Sequence, residues 1–290
     1  MTDFEYEAPT DLKELSAKVA EYGEKARILA GGTDLIDHIR TGRFSPDVVI
    51  DIKKIPEMNE LSFDDSGLTV GAAVPCSRIY EHTDAKAHFG ALIDATSIIG
   101  GIQIQNRATL GGNLCTSSPA ADSIPALIAL NAVCVLQGRG GTQQKPIHDF
   151  CTGPGRNVLS AESAGDVLVS IKIPRPAART GSHYRRFIPR NEMDIAVVGV
   201  GASLQLSEDG EQVEQIRIAL GAVAPIPLLV GTDELVGMKI DSAIAKAVEI
   251  ARSVASPIDD MRGTREFRLH VVGVLVERVL NECVERAKPR

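Results

Sequence analysis

No C-x-x-C pair occurs anywhere in this chain of 290 residues. Its five cysteines, Cys76, Cys115, Cys134, Cys151 and Cys283, are odd in number and widely spaced, which leaves no thiolate set at the spacing that zinc or an iron–sulfur cluster needs. They read as buried thiols. The six histidines are equally scattered, with no H-E-x-x-H or comparable pair at helical spacing, so no metal site is expected. A surplus of positive charge is missing too. The net charge of -7 argues against nucleic acid as the main ligand, because tracking phosphates takes clustered Lys and Arg. No run of 18 apolar residues appears, and "MTDFEYEAPTDLKEL" has no basic segment followed by an apolar one. Neither a membrane span nor a secretory signal is legible there, and the cytoplasm is the expected compartment. Also absent are G-x-G-x-x-G and G-x-x-x-x-G-K-[ST], which argues against a Rossmann dinucleotide domain and a P-loop. No internal repeat or low-complexity tail is visible.

What is present is ordinary globular material, 44% hydrophobic and 24% charged, in a chain long enough for two or three packed subdomains. Residues 1–55 read as helix, strand, helix, strand. Leu12, Leu15 and Val19 share a face after a Thr10-Asp11 start, "ARILA" is a strand, "DLIDHIR" a short helix and "DVVIDI" a strand. "ELSFDDSGLTVGAAV" gives two strands about a turn, and "FGALIDATSIIG" has helical period. "AVCVLQGRGGTQQKPI" reads as a hairpin and "DVLVSIKIP" as a strand closed by Pro174. Pro174 and Pro176 in "IPRPAARTGSH" mark a linker and a boundary near 177. Beyond it, "IAVVGVGASLQL" and "QIRIALGAV" read as antiparallel strands, followed by helices in "DSAIAKAVEIARSVA" and "TREFRLHVVGVLVERVLNECVERA". Phe267, Val271, Val274 and Val279 are expected on the core face of the last helix. The expectation is an α+β chain with subdomains at 1–55 and 56–177 and a C-terminal domain over 178–290.

Two glycine pairs call for a reason, since glycine is costly in an ordered segment. "AGGTD" (Ala30 to Asp34) and "TLGGN" (Thr109 to Asn113) both set Gly-Gly beside a hydroxyl residue and a short polar one. Without Cβ atoms the backbone N–H groups can come close to an anion, and two such loops facing each other could grip a pyrophosphate. The alternative for either pair alone is a tight turn. "GVGAS" (Gly199 to Ser203) lies in an alternating apolar run and reads as a strand with small residues.

"ILAGGTDLI", "GGIQIQNRATLGGNLCTSSPAADSIPAL", "RRFIPRNEMDIAVVGVGASL" and "SPIDDMRGTREFRLHVVGVLVERVL", in that order, span nearly the whole chain. Together they resemble the FAD-binding subunit of the molybdenum hydroxylases: the medium subunit of carbon monoxide dehydrogenase-type enzymes and the flavin domain of xanthine dehydrogenase. The resemblance implies a fold like that of the vanillyl-alcohol oxidase group. FAD would be held noncovalently between two N-terminal α+β subdomains, with a smaller C-terminal α+β domain of antiparallel sheet and helices behind them. It implies that Leu29, Ala30, Gly31, Gly32, Thr33, Asp34 and Leu35 wrap the pyrophosphate, and that Ala108, Thr109, Gly111, Gly112 and Asn113 form the facing loop. Asp122 matches an acid near the cofactor's ribose or ribityl hydroxyls, and Thr116 a polar contact in the same loop. For Asp122 the residue type alone also allows an N-cap of the helix in "SIPALIAL". Leu168 and Arg186 match positions beside the cofactor where relatives often carry Leu and Lys. Arg186 keeps the charge of that Lys but offers a planar fork. Ile99 matches a position where xanthine dehydrogenases stack an aromatic ring, which an Ile cannot do. Cys115 falls near the flavin's reactive edge, where a small apolar packing role is expected.

The same resemblance implies an electron relay. Substrate would be hydroxylated at a molybdenum–pterin site in a large subunit. Electrons would pass through the two-iron two-sulfur clusters of a small subunit to FAD in this chain, and on to NAD⁺, a quinone or another acceptor. A dimer of heterotrimers is one assembly the family builds. Arg185, Arg186 and Arg190 in "RRFIPRNEMDIA" could attract an anionic acceptor, or simply form a solvated basic turn. Two further readings stand beside this one. A free-standing flavoprotein oxidase of the same fold group would need its own substrate domain and often a covalent flavin anchor, for which no evident His or Cys motif exists. A structural partner whose glycine turns bind nothing would be colourless when purified.

Overall fold

The computed structural model of the chain describes residues 3–138, 140–159, 165–191 and 193–288. Arg139, at the tip of the expected hairpin, and Glu192, within "RRFIPRNEMDIA", lie outside the described residues. The first helix, α1 (Leu12–Tyr22), begins on Asp11, whose carboxylate accepts from the Glu14 amide at 2.8 Å while Glu14 accepts from the Thr10 amide at 3.1 Å. That reciprocal pair satisfies amides that an opening turn leaves unbonded. Strands β1 (Glu5–Glu7), β2 (Ala26–Leu29) and β3 (Val48–Asp51) form a parallel sheet in the order β1-β3-β2, with α2 (Leu35–Arg40) crossing from β2 to β3. Val48, Val49 and Ile50 are all buried, the continuous apolar run of a parallel strand covered on both faces. Each such side chain contributes roughly 1.5–3 kcal/mol. β1 is an addition to the expected order of elements: Glu-Tyr-Glu has no apolar alternation to announce it.

The second sheet is antiparallel, in the order β4-β5-β10-β6-β7, from β4 (Leu61–Asp64), β5 (Gly67–Gly71), β6 (Val133–Gly138), β7 (Gly141–Pro146) and β10 (Val167–Pro174). Between β5 and β6 run α3 (Cys76–Glu81), α4 (Thr83–His88), α5 (Gly90–Thr96), α6 (Ile102–Gln105), α7 (Leu110–Thr116) and α8 (Ser123–Ala129). The small ribbon β8 (Cys151–Gly153) and β9 (Arg156–Asn157) precedes β10. One hydrophobic core joins both sheets and these helices.

The expected linker is shorter than "IPRPAARTGSH". Pro174 still pairs with Gly67 as the last residue of β10, and β11 (Thr180–Phe187) already starts at Thr180, so only residues 175–179 lie between strands. A closing proline costs a strand no ladder bond when its missing N–H falls at the end. β11 pairs with β12 (Val198–Leu206), which pairs with β13 (Val213–Gly221) and through it β14 (Leu228–Val230), all antiparallel. Helices α9 (Ile240–Val254) and α10 (Arg265–Ala287) share a second core with this sheet. Val271 and Val279 are buried as expected, but Val274 is half-buried and Phe267 is 40% exposed; the inward stripe runs through Val272, Val276 and Leu280 instead.

α8 lies directly on β12 and β13. A Cβ on Gly201 would stand 2.5 Å from the Pro125 carbonyl oxygen, and one on Gly221 2.8 Å from the Pro125 ring. The "GVGAS" stretch is thus a strand, and its small residues are what let a helix of the first core touch the sheet of the second.

Candidate cofactor site

β2 runs into the first glycine loop, and the loop opens α2. Gly32 sits at φ +80, a left-handed conformation that most residues avoid. The amides of Gly31, Gly32, Thr33 and Asp34 donate no hydrogen bond among the described residues. Successive amides left open around a left-handed residue make a concave donor surface, which is what an anion such as a pyrophosphate needs. Lys53 adds positive charge at the loop's root: its ammonium donates to the Ala30 carbonyl at 3.1 Å and pairs with Asp51 at 2.7 Å. Burial alone would raise the Asp51 carboxyl, but hydrogen bonds from Lys53 and Tyr6 outweigh it and hold the group below its ordinary value.

The second loop does face the first. A Cβ on Gly31 would fall 2.0 Å from the Arg107 carbonyl oxygen and 3.1 Å from the Ala108 Cα. The backbones therefore touch. Thr116 ties them again, its hydroxyl 2.9 Å from an Asp34 carboxylate oxygen and 3.0 Å from the Gly112 carbonyl. Here, however, Thr109 caps α7: its hydroxyl accepts from the Gly112 amide at 2.9 Å, and its carbonyl accepts from the Asn113 amide at 3.0 Å. Gly111 rests on Ala72, whose backbone a Cβ would meet at 2.5 Å, and the Ala72 amide donates to Val169. Leu168, the neighbour of Val169 on β10, is buried. Asn113 accepts from Ser123 at 2.6 Å, which links the loop to the start of α8.

Asp122, just before α8, makes no capping bond to the helix amides. Its carboxylate accepts from the Tyr184 hydroxyl at 2.8 Å and from the Arg186 guanidinium at 2.5 Å, and it is 8% exposed. Burial pushes the Asp122 carboxyl up to about 6, against the pull of Arg186 and Tyr184. Burial and the neighbouring carboxylate likewise raise the Tyr184 phenol well above its ordinary value. Arg186 also donates to the Ile98 carbonyl at 3.1 Å, beside Ile99. Its guanidinium is therefore held by partners within the fold, at the wall of the cavity. Arg185 remains exposed, and Arg190 is mostly solvated and 3.7 Å from Asp194.

A cavity of about 830 Å³ opens between the two cores, with Asp94, Ile98, Gly100, Arg186, Ile188 and Met193 in its wall. Ile99 lies in the turn at its edge. Cys76, Cys134, Cys151 and Cys283 are buried, whereas Cys115 keeps an exposed surface. No group of His, Cys, Asp and Glu among the described residues could hold a metal ion, and no helix among them is long and apolar enough to cross a membrane. Sequence reasoning missed Lys53 and Tyr184. Tyr184 had a signal: it stands two residues from Arg186, hence on the same face of one strand.

The family described as FAD binding domain in molybdopterin dehydrogenase matches residues 2–176, and the CO dehydrogenase flavoprotein C-terminal domain matches residues 183–283. The chain is 31% identical to the carbon monoxide dehydrogenase medium chain of Hydrogenophaga pseudoflava over 98% of each chain. It is 30% identical to the xanthine dehydrogenase FAD-binding subunit of Escherichia coli O157:H7 over 91% of this chain and 90% of that one. The solved structure of the Hydrogenophaga pseudoflava carbon monoxide dehydrogenase that lacks the Mo-pyranopterin moiety of its molybdenum cofactor superposes with a TM-score of 0.91, covering 98% of both chains.

Proposed function

This chain belongs to the FAD-binding subunits of the molybdenum hydroxylase family, and from that premise we propose that it is the electron relay of a heteromeric oxidoreductase. Bound FAD supplies the redox chemistry, between iron–sulfur clusters of a small partner subunit and NAD⁺ or another acceptor, while a large partner subunit holds the molybdenum–pterin site. The observation that carries this reading is the row of open amides around Gly32, facing a second glycine loop.

The residues divide the task of holding the cofactor. Leu29 to Leu35 receive the pyrophosphate on their amides, with Lys53 offsetting its charge. Ala108, Thr109, Gly111, Gly112, Asn113 and Thr116 close the facing side, and Leu168 lies beside the cofactor. Ile99 and Cys115 border the ring, and Asp122 with Arg186 joins the two cores behind it. The acceptor approaches through the cavity beside Ile98, where Arg185 in the wall, with exposed Arg190 further along the same segment, draws an anionic one. The domain boundary falls near 177, within the segment between β10 and β11. The assembly is a dimer of heterotrimers in the cytoplasm.

Purification from the native host tests this. The expected product is yellow, with one FAD per chain released on denaturation, and it brings large and small partner chains with it. Chemically reduced protein, mixed rapidly with NAD⁺ or a quinone analogue, is expected to reoxidise, and more slowly with NAD⁺ in Arg185→Ala. Reoxidation by neither acceptor would defeat the exit role, and a colourless protein would defeat the cofactor reading.

A further inference from the structure

The turn between α5 and α6, residues 97–101, carries Ile99 and reaches the cavity through Ser97, Ile98, Gly100 and Gly101. Side chains claim its carbonyls. Gln105, 8% exposed at the end of α6, donates its amide nitrogen to the Ser97 carbonyl at 2.8 Å and to the Gly100 carbonyl at 3.1 Å. Arg186 takes the Ile98 carbonyl between them. A trans peptide is planar, with its C=O and N–H pointing opposite ways. A carbonyl turned toward Gln105 or Arg186 therefore turns the next residue's N–H away from that side chain. The residues so turned are Ile98, Ile99 and Gly101. The Ile98 amide donates to the Ala95 carbonyl, but those of Ile99 and Gly101 donate to nothing among the described residues. Gly100 makes the turn attainable, at φ +62 and with Ile104 2.9 Å from where a Cβ would be.

We infer that Gln105 is a positioning residue for the flavin ring: by holding the Ser97 and Gly100 carbonyls it presents the Ile99 and Gly101 amides as fixed donors to the heteroatom edge of the isoalloxazine. The inference rests on the FAD reading above. Gln105 acts through the turn, by way of the Ser97 and Gly100 carbonyls. Flavin carbonyl oxygens and ring nitrogens accept hydrogen bonds, and they carry more negative charge when the ring is reduced. Pre-oriented amides at that edge therefore favour the reduced form, without any reorganisation at the moment of transfer.

The test uses the full chain with FAD bound and reads its two-electron potential together with amide exchange at Ile99 and Gly101. Gln105→Met keeps the side-chain length but donates nothing. It is expected to retain FAD, because the pyrophosphate amides lie elsewhere, while the reduced form loses about tenfold in relative stability, a potential about 30 mV lower. Gln105→Arg, which restores two N–H donors, is expected to bring the potential back. In the unchanged chain, adding FAD is expected to slow exchange at both amides. An unchanged potential in flavin-loaded Gln105→Met overturns the inference. So does exchange at Ile99 and Gly101 that FAD leaves untouched, whether or not the variant folds. A wild-type chain that takes up no FAD overturns the cofactor reading first, and this inference with it.

Discussion

The two glycine loops are written in nearly the same letters and behave differently. In Ala30 to Asp34 the hydroxyl follows the glycine pair, and four amides stay open. In Thr109 to Asn113 the hydroxyl comes first, three residues ahead of the Gly112 amide, and takes it. A threonine caps amides two or three positions after itself, never those before it. The order of Thr and Gly-Gly thus decides whether the hydroxyl can take the second glycine's amide, as Thr109 takes that of Gly112 and Thr33 cannot take that of Gly32. The first loop leaves its donors open, and the second gives the Gly112 amide to its own threonine.

The largest break in that comparison lies just after the second loop. Asp122→Ala leaves the Arg186 guanidinium without its carboxylate in a mostly buried site, which is expected to cost about 3–5 kcal/mol of apoprotein stability. Denaturant titration without FAD checks this. A stability equal to wild type would return Asp122 to the role of a ligand contact only. Next come the glycines themselves. Gly31→Val drives a side chain into the Arg107 carbonyl and is expected to cost about 1–3 kcal/mol and to expel flavin. Gly112→Val meets only the Thr109 hydroxyl at 3.1 Å, and its expected cost is under about 1 kcal/mol with flavin largely retained. Flavin absorbance per chain separates them, and equal losses would erase the distinction between the two loops.

Thr109→Ala removes the cap and is expected to cost about 1 kcal/mol, whereas Thr33→Ala, with no hydrogen bond to lose among the described residues, leaves melting unchanged. The smallest effect is a pH slope at the seam of the two cores. Asp94 on α5 accepts from His183 at 2.5 Å and from Arg286 at 2.7 Å. Burial would raise its carboxyl, but those partners hold it below its ordinary value. A depressed folded pKa adds stability that is full above the unfolded value of about 4 and is lost as pH falls through the folded one. Asp122 runs the other way: raised to about 6, its share is lost as pH rises through that value. Asp94→Asn is therefore expected to flatten acid unfolding below about pH 4, where a wild-type slope would show the cluster to be indifferent.

Much of the fold was legible because its signals are short. Asp11 with Glu14, Thr264 before α10 and the Asp-Asp-Ser-Gly turn between β4 and β5 are all contacts within four residues, and each begins or ends an element where a reader of the sequence would put it. β1 escaped because a three-residue edge strand with a glutamate on either side of an exposed tyrosine has no apolar period to detect. Phe267 looked like core because helical spacing tells which residues share a face, and not how far the neighbouring sheet extends under it.

Within the site, the sequence by itself determined where backbone would lie bare of Cβ atoms, which hydroxyl could cap which amide, and that a helix would start after Asp122. Those are properties of a residue and its nearest few neighbours. Only the tertiary structure decided that Asp122 would meet Tyr184 and Arg186, 62 and 64 residues further on, instead of capping its own helix. It also decided that Gln105 would turn back on the Ser97 and Gly100 carbonyls. The register of β11 against β12, and the bare glycines that let α8 rest on that sheet, bring the partners of Asp122 within hydrogen-bond distance. Such a meeting depends on how whole elements pack, and no local pattern of residues encodes it.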